Sequence, residues 1–542
     1  MRSPAPRALL ATASVAVALA AADTYVVVLA LTDMMTGVGL GIDALQKATP
    51  IISGFLLGYV AVLPLIGRLA DLVARQRILL ACLVVFVIGS TITALAVEMP
   101  VLVSGRLLQG IGGGGLVPAT LALVADLWPA GQRGTPLGVV GAVQELGSVL
   151  GPVLGAAVLA VADWRMIFWL NAVAGVVLAA ALVGLGGARL RRPRGIPTVV
   201  GLLALVTGAL TLAAPARLTS GVTLGIPFVP FGDSTSRALT PIGVVAAALV
   251  LGWLALEAPR WWPLLRRADV VGAVLLGVAL GSVVLTFAAS DPERAVVGPL
   301  GYAALPAGAA ALGLYGWRHR VVAEPLVPRG VVRGRTGSAL VVSLFAGAAL
   351  VAVVVDVPVL ARLTLTGSET VAAFVLVRFL VAVPVGALLG GWSLRRLPDG
   401  VVGGAGLLLA CIGLAAMSRW GDGSLDRSSA TVVLVAVGFG IGLAIAPVNN
   451  AALADSPTGA HGMASALVVV SRMVGMVVGL ALLTSIGLRR YYEAVAALPD
   501  PTDTRALVDA GLVQVQTVFA GAAVAALLGA LASVGLGLRR AR

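Results

Sequence analysis

Apolar runs of about 18–25 residues recur along the whole chain, each closed by a short stretch rich in Gly, Pro, Arg or Asp. Wound as α-helix, a run of that length crosses a hydrocarbon core of about 30 Å with its backbone polar groups satisfied internally. The pattern predicts spans near 8–32, 50–69, 77–98, 100–127, 134–161, 165–187, 198–214 and 239–257. It continues with 268–289, 296–316, 337–361, 368–392, 400–418, 429–453, 461–488 and 510–537, about sixteen crossings in all. The first run imitates a secretory signal, "MRSPAPRALLATASVAVALAAADT". Apolar residues resume after Asp23 through "YVVVLAL", which predicts an uncleaved first helix.

Composition sharpens this picture. Of 542 residues, 59% are hydrophobic and 11% charged, with a mean hydropathy of +1.05; soluble domains carry about 25% charged residues. The expected class is an all-α polytopic membrane protein. A net charge of +13 does not imply nucleic acid here, because the arginines gather in short loops between the runs. "GRLADLVARQR", "ARLRRPRG", "PRWWPLLRRAD", "GWRHRVVAEPLVPRGVVRGR" and "SLRRLPDG" alternate onto one side, as the cytoplasmic excess of basic residues requires. "GLRRAR" falls on that side too, so both termini are expected in the cytoplasm and the crossing number even. Lys47 is the single lysine, which with the Ala/Gly/Val bias points to a high-GC bacterial genome; a multi-pass helical protein of such a cell is expected in its inner (plasma) membrane.

Chemistry classes can be pruned next. Cys82 and Cys411 lie inside apolar runs, and His319 and His461 stand far apart, so no disulfide framework, metal site or cofactor is expected. No Walker loop and no catalytic triad occurs, which disfavours an enzyme and an ATP-driven pump. An ion gradient is the expected source of energy.

The first and last six crossings read as two related halves. Pro64 precedes Arg75 by eleven positions, and Pro384 precedes Arg395 by eleven. Gly147, Gly151 and Gly155 in the fifth crossing have counterparts in Gly475 and Gly479 of the penultimate one. The expected organisation is an N-terminal six-helix bundle (1–190), a linker region with about four further crossings (191–330), and a C-terminal six-helix bundle (331–542). Repeated bundles are how secondary transporters build alternating access around a central site.

Four motifs give this architecture a family resemblance. "GRLADLVARQR" resembles the loop motif of the major facilitator superfamily on Gly67, Leu69, Asp71, Arg75 and Arg77, with Ala74 where the family usually has glycine. The resemblance implies a latch in which Asp71 sits near a helix N-terminus and pairs with cations. "SGRLLQGIGGGG" resembles the family's R-x-x-q-G motif on Arg106, Gln109 and Gly110, where the arginine bears on proton coupling. "GSVLGPVLG" resembles the antiporter motif on Gly147, Gly151, Pro152 and Gly155, and "ADTYVVVLAL" the fourteen-helix drug:proton antiporter signature beginning at Asp23.

"DTYVVV", "QELGSVLGP" and "HGMASALVVVSRMVGM" together resemble the actinobacterial and mycobacterial exporters of triacylglycerols. That resemblance implies a monomeric, proton-coupled exporter of an apolar lipid, with a periplasmic lipid-carrier lipoprotein as partner. The alternative is proton-driven multidrug efflux, against which stands an aromatic content of 5%, since cationic drugs favour aromatic linings. Those exporters have two linker helices, expected here at 268–289 and 296–316, so the pair at 198–214 and 239–257 reads as an addition.

Charges inside the spans are the candidate coupling residues: Asp23, Arg106, Glu145, Arg378 and Arg472. Such groups are expensive in a bilayer and face partners or water. Glu145 and Arg472 each lie about 16 Å from a cytoplasmic helix end, opposite in sign and in corresponding crossings, so they are expected to pair across the two halves. Arg378 is the rival partner of Glu145, and a purely structural ion pair or a neutral glutamate is the alternative role. Asp23, Glu145 and Arg472 are expected to act as one coupled group. Asp356 is expected to be solvated at an outer helix end. The last two helices are expected to run past the bilayer as a periplasmic hairpin (about 488–512), capped by Asp503, with the final helix reaching about Arg539.

Overall fold

The computed structural model describes residues 6–40, 48–186, 195–221, 223–232, 236–287, 301–365, 369–457, 459–500 and 503–538. Lys47, most of "ARLRRPRG", Pro501, Thr502 and the end of "GLRRAR" lie outside the described residues. The first six long helices are α1 (Pro6–Gly37), α2 (Thr49–Leu72), α3 (Arg75–Leu95), α4 (Met99–Leu127), α5 (Gly134–Leu159) and α6 (Arg165–Gly186). Then come α7 (Gly195–Ala213), a single turn α8 (Ala216–Thr219), α9 (Pro241–Arg267), α10 (Val270–Phe287) and α11 (Ala304–Val321). The last six are α12 (Gly334–Thr364), α13 (Glu369–Ser393), α14 (Asp399–Met417), α15 (Ser428–Asp455), α16 (His461–Ala496) and α17 (Thr504–Ala532).

Among the described residues, fifteen helices are long and apolar enough to cross a membrane. The exception is the span expected at 296–316, described from residue 301 onward as a 3₁₀ turn and α11, whose last turn carries Arg318, His319 and Arg320 and which is not apolar enough over its length. Helix starts follow local chemistry. Pro50 and Pro100 occupy first turns, where the missing N–H costs nothing. Thr240 accepts from the Gly243 N–H at 3.2 Å to cap α9. Asp503 accepts from the Arg505 and Ala506 N–H groups at 2.9 and 3.3 Å, so it caps α17 as the sequence predicts. The end of α17 is a correction: the α-helix stops at Ala532 and continues as a 3₁₀ turn to Leu536, short of Arg539.

Within the first half, α1 packs along α5, and α4 sits between α2 and α3. The last half repeats the scheme, with α12 along α16 and α15 between α13 and α14. One large apolar core, around Phe55, Leu63, Phe86 and Leu116, fills the first half and takes in Leu453, Val469 and Val470 of the last, while a second, around Val353, Phe379, Leu414 and Phe519, lies within the last half. Two inter-half seams share the end of the molecule that carries the Gly67–Arg77 loop. At the first, α2 meets α16 where a Cβ on Gly67 would strike the Gly462 carbonyl. At the second, α5 meets α13 where Gly134 and Gly138 lie against Gly391. α10 lies against both α2 and α16, whereas α7 and α9 pack chiefly on each other.

Candidate functional site

Glu145 and Arg472 stand eleven residues into α5 and α16, about 16 Å from the ends that carry the basic loops. Arg472 Nη1 donates to Glu145 Oε1 at 3.0 Å, and the two side chains are 15% and 12% exposed. Arg472, and not Arg378, is therefore the partner; Arg378 Nη1 instead donates to Thr431 Oγ1 at 3.0 Å. The pair separates two cavities whose linings both include Gln144, Glu145, Leu350 and Arg472. Toward the basic-loop end the space is about 40 Å³ and mostly apolar, with Ser343 and Asn449 as further polar neighbours. Toward the opposite end it is about 220 Å³, with Phe55, Tyr59, Met473 and Met476 alongside Thr24, Ser148 and Arg106.

Asp23 belongs to a second network inside the first half. Arg106 Nη1 donates to Asp23 Oδ2 at 2.5 Å and to Gln109 Oε1 at 2.9 Å. Gln109 Nε2 donates to Asp23 Oδ1 at 3.3 Å and to Ser90 Oγ at 2.8 Å, and Asn171 Nδ2 donates to Asp23 Oδ1 at 2.6 Å. The Arg106 guanidinium also lies 4.5 Å from the Phe55 ring centroid. Asp23 and Arg106 are shielded almost completely, at 0% and 1% side-chain exposure. The single coupled group expected from the sequence is thus two ion pairs. They meet through the larger cavity, which Arg106, Glu145 and Arg472 all line. Asn171 is a member that sequence reading missed, because one asparagine in an apolar run carries no spacing signal.

The glycines of the fifth crossing place these networks side by side. A Cβ on Gly147 would enter the Ala18 carbonyl, one on Gly151 the Ala22 carbonyl, and one on Gly155 the Val26 side chain. α1 and α5 thus touch backbone to backbone at four-residue steps, with Pro152 half-buried between the last two contacts. In the other half, Gly475 and Gly479 press on Leu344 and Ala348 of α12.

At the basic-loop end, Asp71 is fully shielded and reaches across to the other half. It accepts from the Gly462 N–H at 2.7 Å and the Met463 N–H at 2.9 Å, where the first turn of α16 has unpaired donors. Arg75 pairs with Asp71 at 3.4 Å and with Asp126 at 3.3 Å, while Arg77 is exposed. Ala74 replaces the family's glycine without strain, since its φ is −52°. At the second seam, Arg395 Nε donates to Thr135 Oγ1 at 3.2 Å.

A strap that sequence reading did not find crosses the first seam. Asp269 accepts from Arg318 Nε at 2.8 Å and from the Leu326 N–H at 3.0 Å, and Arg68 pairs with Glu324 at 3.6 Å. Leu326 and Val327 are thereby buried against Leu65 of α2 and Met463 of α16. Asp356 is a further correction. It is 3% exposed and not solvated, because α12 runs on to Thr364. Its helix neighbours Val353, Val357 and Leu360 join the core formed with Leu483 of α16 and Leu512 and Val515 of α17. Among the described residues no group of three or more His, Cys, Asp or Glu could hold a metal ion.

Known proteins share this arrangement along most of its length. The sequence profile of the Major Facilitator Superfamily matches residues 13–480. The chain belongs to this superfamily. It is 37% identical over 509 residues to a triacylglyceride transporter of Mycobacteroides abscessus, covering 90% of this chain and 84% of that one. A triacylglyceride transporter of Mycolicibacterium smegmatis is 35% identical, over 92% of this chain and 78% of its own. One from Mycobacterium tuberculosis is 35% identical, over 91% and 85%. In fold, it resembles a human organic anion transporter (TM-score 0.57, 14% identity, 98% of this chain and 100% of that one). A proton:xylose symporter gives a TM-score of 0.56 at 13% identity, over 97% and 94%. This superfamily member is a multi-pass membrane transporter, not an enzyme.

Proposed function

We propose that this transporter moves a neutral, strongly apolar lipid of the triacylglyceride type out of the bacterial inner membrane toward the periplasm, driven by proton entry. The observation that carries the reading is the Glu145–Arg472 pair, which bridges the two halves at mid-depth between two largely apolar cavities. Charges that line the larger cavity are compensated, Arg472 by Glu145 and Arg106 by Asp23. Such a lining suits an uncharged lipid, whose acyl chains need only apolar contact and whose ester carbonyls need only polar neighbours such as Gln144 and Ser148. The names of the mycobacterial relatives agree with that chemistry.

In this mechanism a proton arriving from the periplasm neutralises Asp23 or Glu145 and releases Arg106 or Arg472. Loss of the inter-half pair weakens the closed arrangement, and the halves rock about the site. Asp71 latches the cytoplasmic end, where both glycine seams lie. Residues 1–190 and 331–542 are the rocking bundles, 191–330 the linker, and both termini are cytoplasmic. The protein works as a monomer, and its product passes to a periplasmic lipid-carrier lipoprotein.

The test is transport of a fluorescent triacylglyceride in proteoliposomes under an imposed pH gradient, set against a cationic dye. Lipid movement that needs the gradient is expected. Dye movement with no lipid movement would replace lipid export by drug efflux.

A further inference from the structure

The loop joining α7 to α9 emerges at the end opposite the Gly67–Arg77 loop and carries large apolar side chains in the open. Leu224, Ile226, Val229, Phe231 and Leu239 are 62%, 61%, 61%, 58% and 52% exposed. A cluster of that kind marks an interaction surface. Its height is fixed by hydrogen bonds. Leu239 lies two residues before α9 begins, and the Phe231 N–H donates to the Leu239 carbonyl at 3.0 Å. Phe231 is therefore held level with the start of a membrane-crossing helix. Arg237 pins the same loop from below: its N–H donates to Glu98 Oε1 at 2.5 Å beside the start of α4, and its Nη1 donates to the Leu212 carbonyl at 2.6 Å at the end of α7.

We propose that this loop is a membrane anchor, its five apolar side chains entering the acyl region of the adjacent leaflet while exposed Arg217 meets lipid phosphate. Continuity selects lipid as the occupant. Val244 and Val245 in the first turns of α9, 48% and 50% exposed, extend the same apolar surface down the lipid-facing side of the helix. A soluble partner would need the loop to project, and the bonds to Glu98 and Leu212 hold it down. Apolar residues sunk about 5–10 Å beside basic ones are how interfacial segments bind membranes. The anchor also has a structural use, because α7 and α9 pack chiefly on each other and lean little on the bundle.

The experiment places an environment-sensitive fluorophore on Phe231→Cys, in a Cys82→Ala, Cys411→Ala background, in phosphatidylcholine/phosphatidylglycerol vesicles. Blue-shifted emission is expected, quenched about twofold more by a nitroxide at acyl carbon 5 than at carbon 12, and little by iodide. If the cysteine-free background misfolds, Phe231→Trp in the native background is compared with the parent in vesicles of dibrominated lipid, and extra quenching is expected. Emission typical of water, quenched by iodide and indifferent to both lipid probes, overturns the proposal. Shielding from iodide that appears only at high protein-to-lipid ratio assigns the face to a second copy, and also overturns it.

Discussion

Glu145→Gln keeps the volume and the acceptor oxygen that Arg472 uses, and removes only the capacity to ionise. The expected outcome is loss of gradient-driven lipid transport in proteoliposomes by a variant that still folds, its melting temperature lowered less than that of Arg472→Ala because the Arg472 hydrogen bond is kept. Normal transport by the amide variant would remove the proton from Glu145. Arg472→Ala is expected to behave differently, losing about 3–5 kcal/mol of stability, because it leaves the carboxylate buried and unpaired; a thermal-unfolding assay checks it. That the two residues face each other was legible in the sequence, since opposite signs at equal distance from a basic loop imply equal depth. Asn171 and Asp356 were not legible. The first is one polar residue in an apolar run, and the second is buried by neighbours whose length becomes clear only once α12, α16 and α17 lie side by side.

Between elements, two kinds of contact decide the geometry. Along α1 and α5 the close approach depends on Gly147 and Gly151 having no side chain. Gly151→Val puts two methyl groups against the Ala22 carbonyl, and overpacking of this kind costs about 1–3 kcal/mol. A lower melting temperature with weakened transport is expected. Across α2 and α16, Asp71→Asn keeps the volume but exchanges one acceptor oxygen for an amide that cannot accept from both the Gly462 and Met463 N–H groups. The population is expected to shift toward states open at the basic-loop end, and cysteines placed there should label faster. Unchanged labelling would reduce "GRLADLVARQR" to a topology signal. The loop motif and the glycine steps were readable because fixed spacing expresses fixed geometry. The strap over this seam was not, because 322–333 has no periodicity, and its partner Asp269 becomes evident only when Arg318 and Leu326 converge on it.

On the scale of the whole molecule, the two halves repeat with a fidelity that the prolines record. Pro64 and Pro384 each stand fifteen residues into α2 and α13, and Pro118 and Pro447 each nineteen into α4 and α15. The repeat fails at the last two helices. α16 has 36 residues, about 54 Å of helix, against a core of about 30 Å. α17 adds 29 more before its 3₁₀ turn. Inside the bundle they pack closely, with Gly487 against Gln514 and the core residue Val518. Arg489, Arg490 and Glu493 form exposed ion pairs at 2.9 and 3.4 Å, as an aqueous setting favours. Leu498, Leu507 and Val508 are half-buried in this stretch, and Leu512 continues them into the core. Under the export proposed above, a lipid passing from the bilayer to a periplasmic acceptor must avoid water, and we propose that these over-long helices project as a hairpin whose apolar face offers that path. Deleting two turns from each helix in register keeps the α16–α17 packing and removes only the projection. The shortened protein is expected to bind lipid as the parent does but to load a lipid-carrier protein several-fold more slowly in vesicles. Loading at the parent's rate by a stably folded variant would exclude the hairpin from the hand-over.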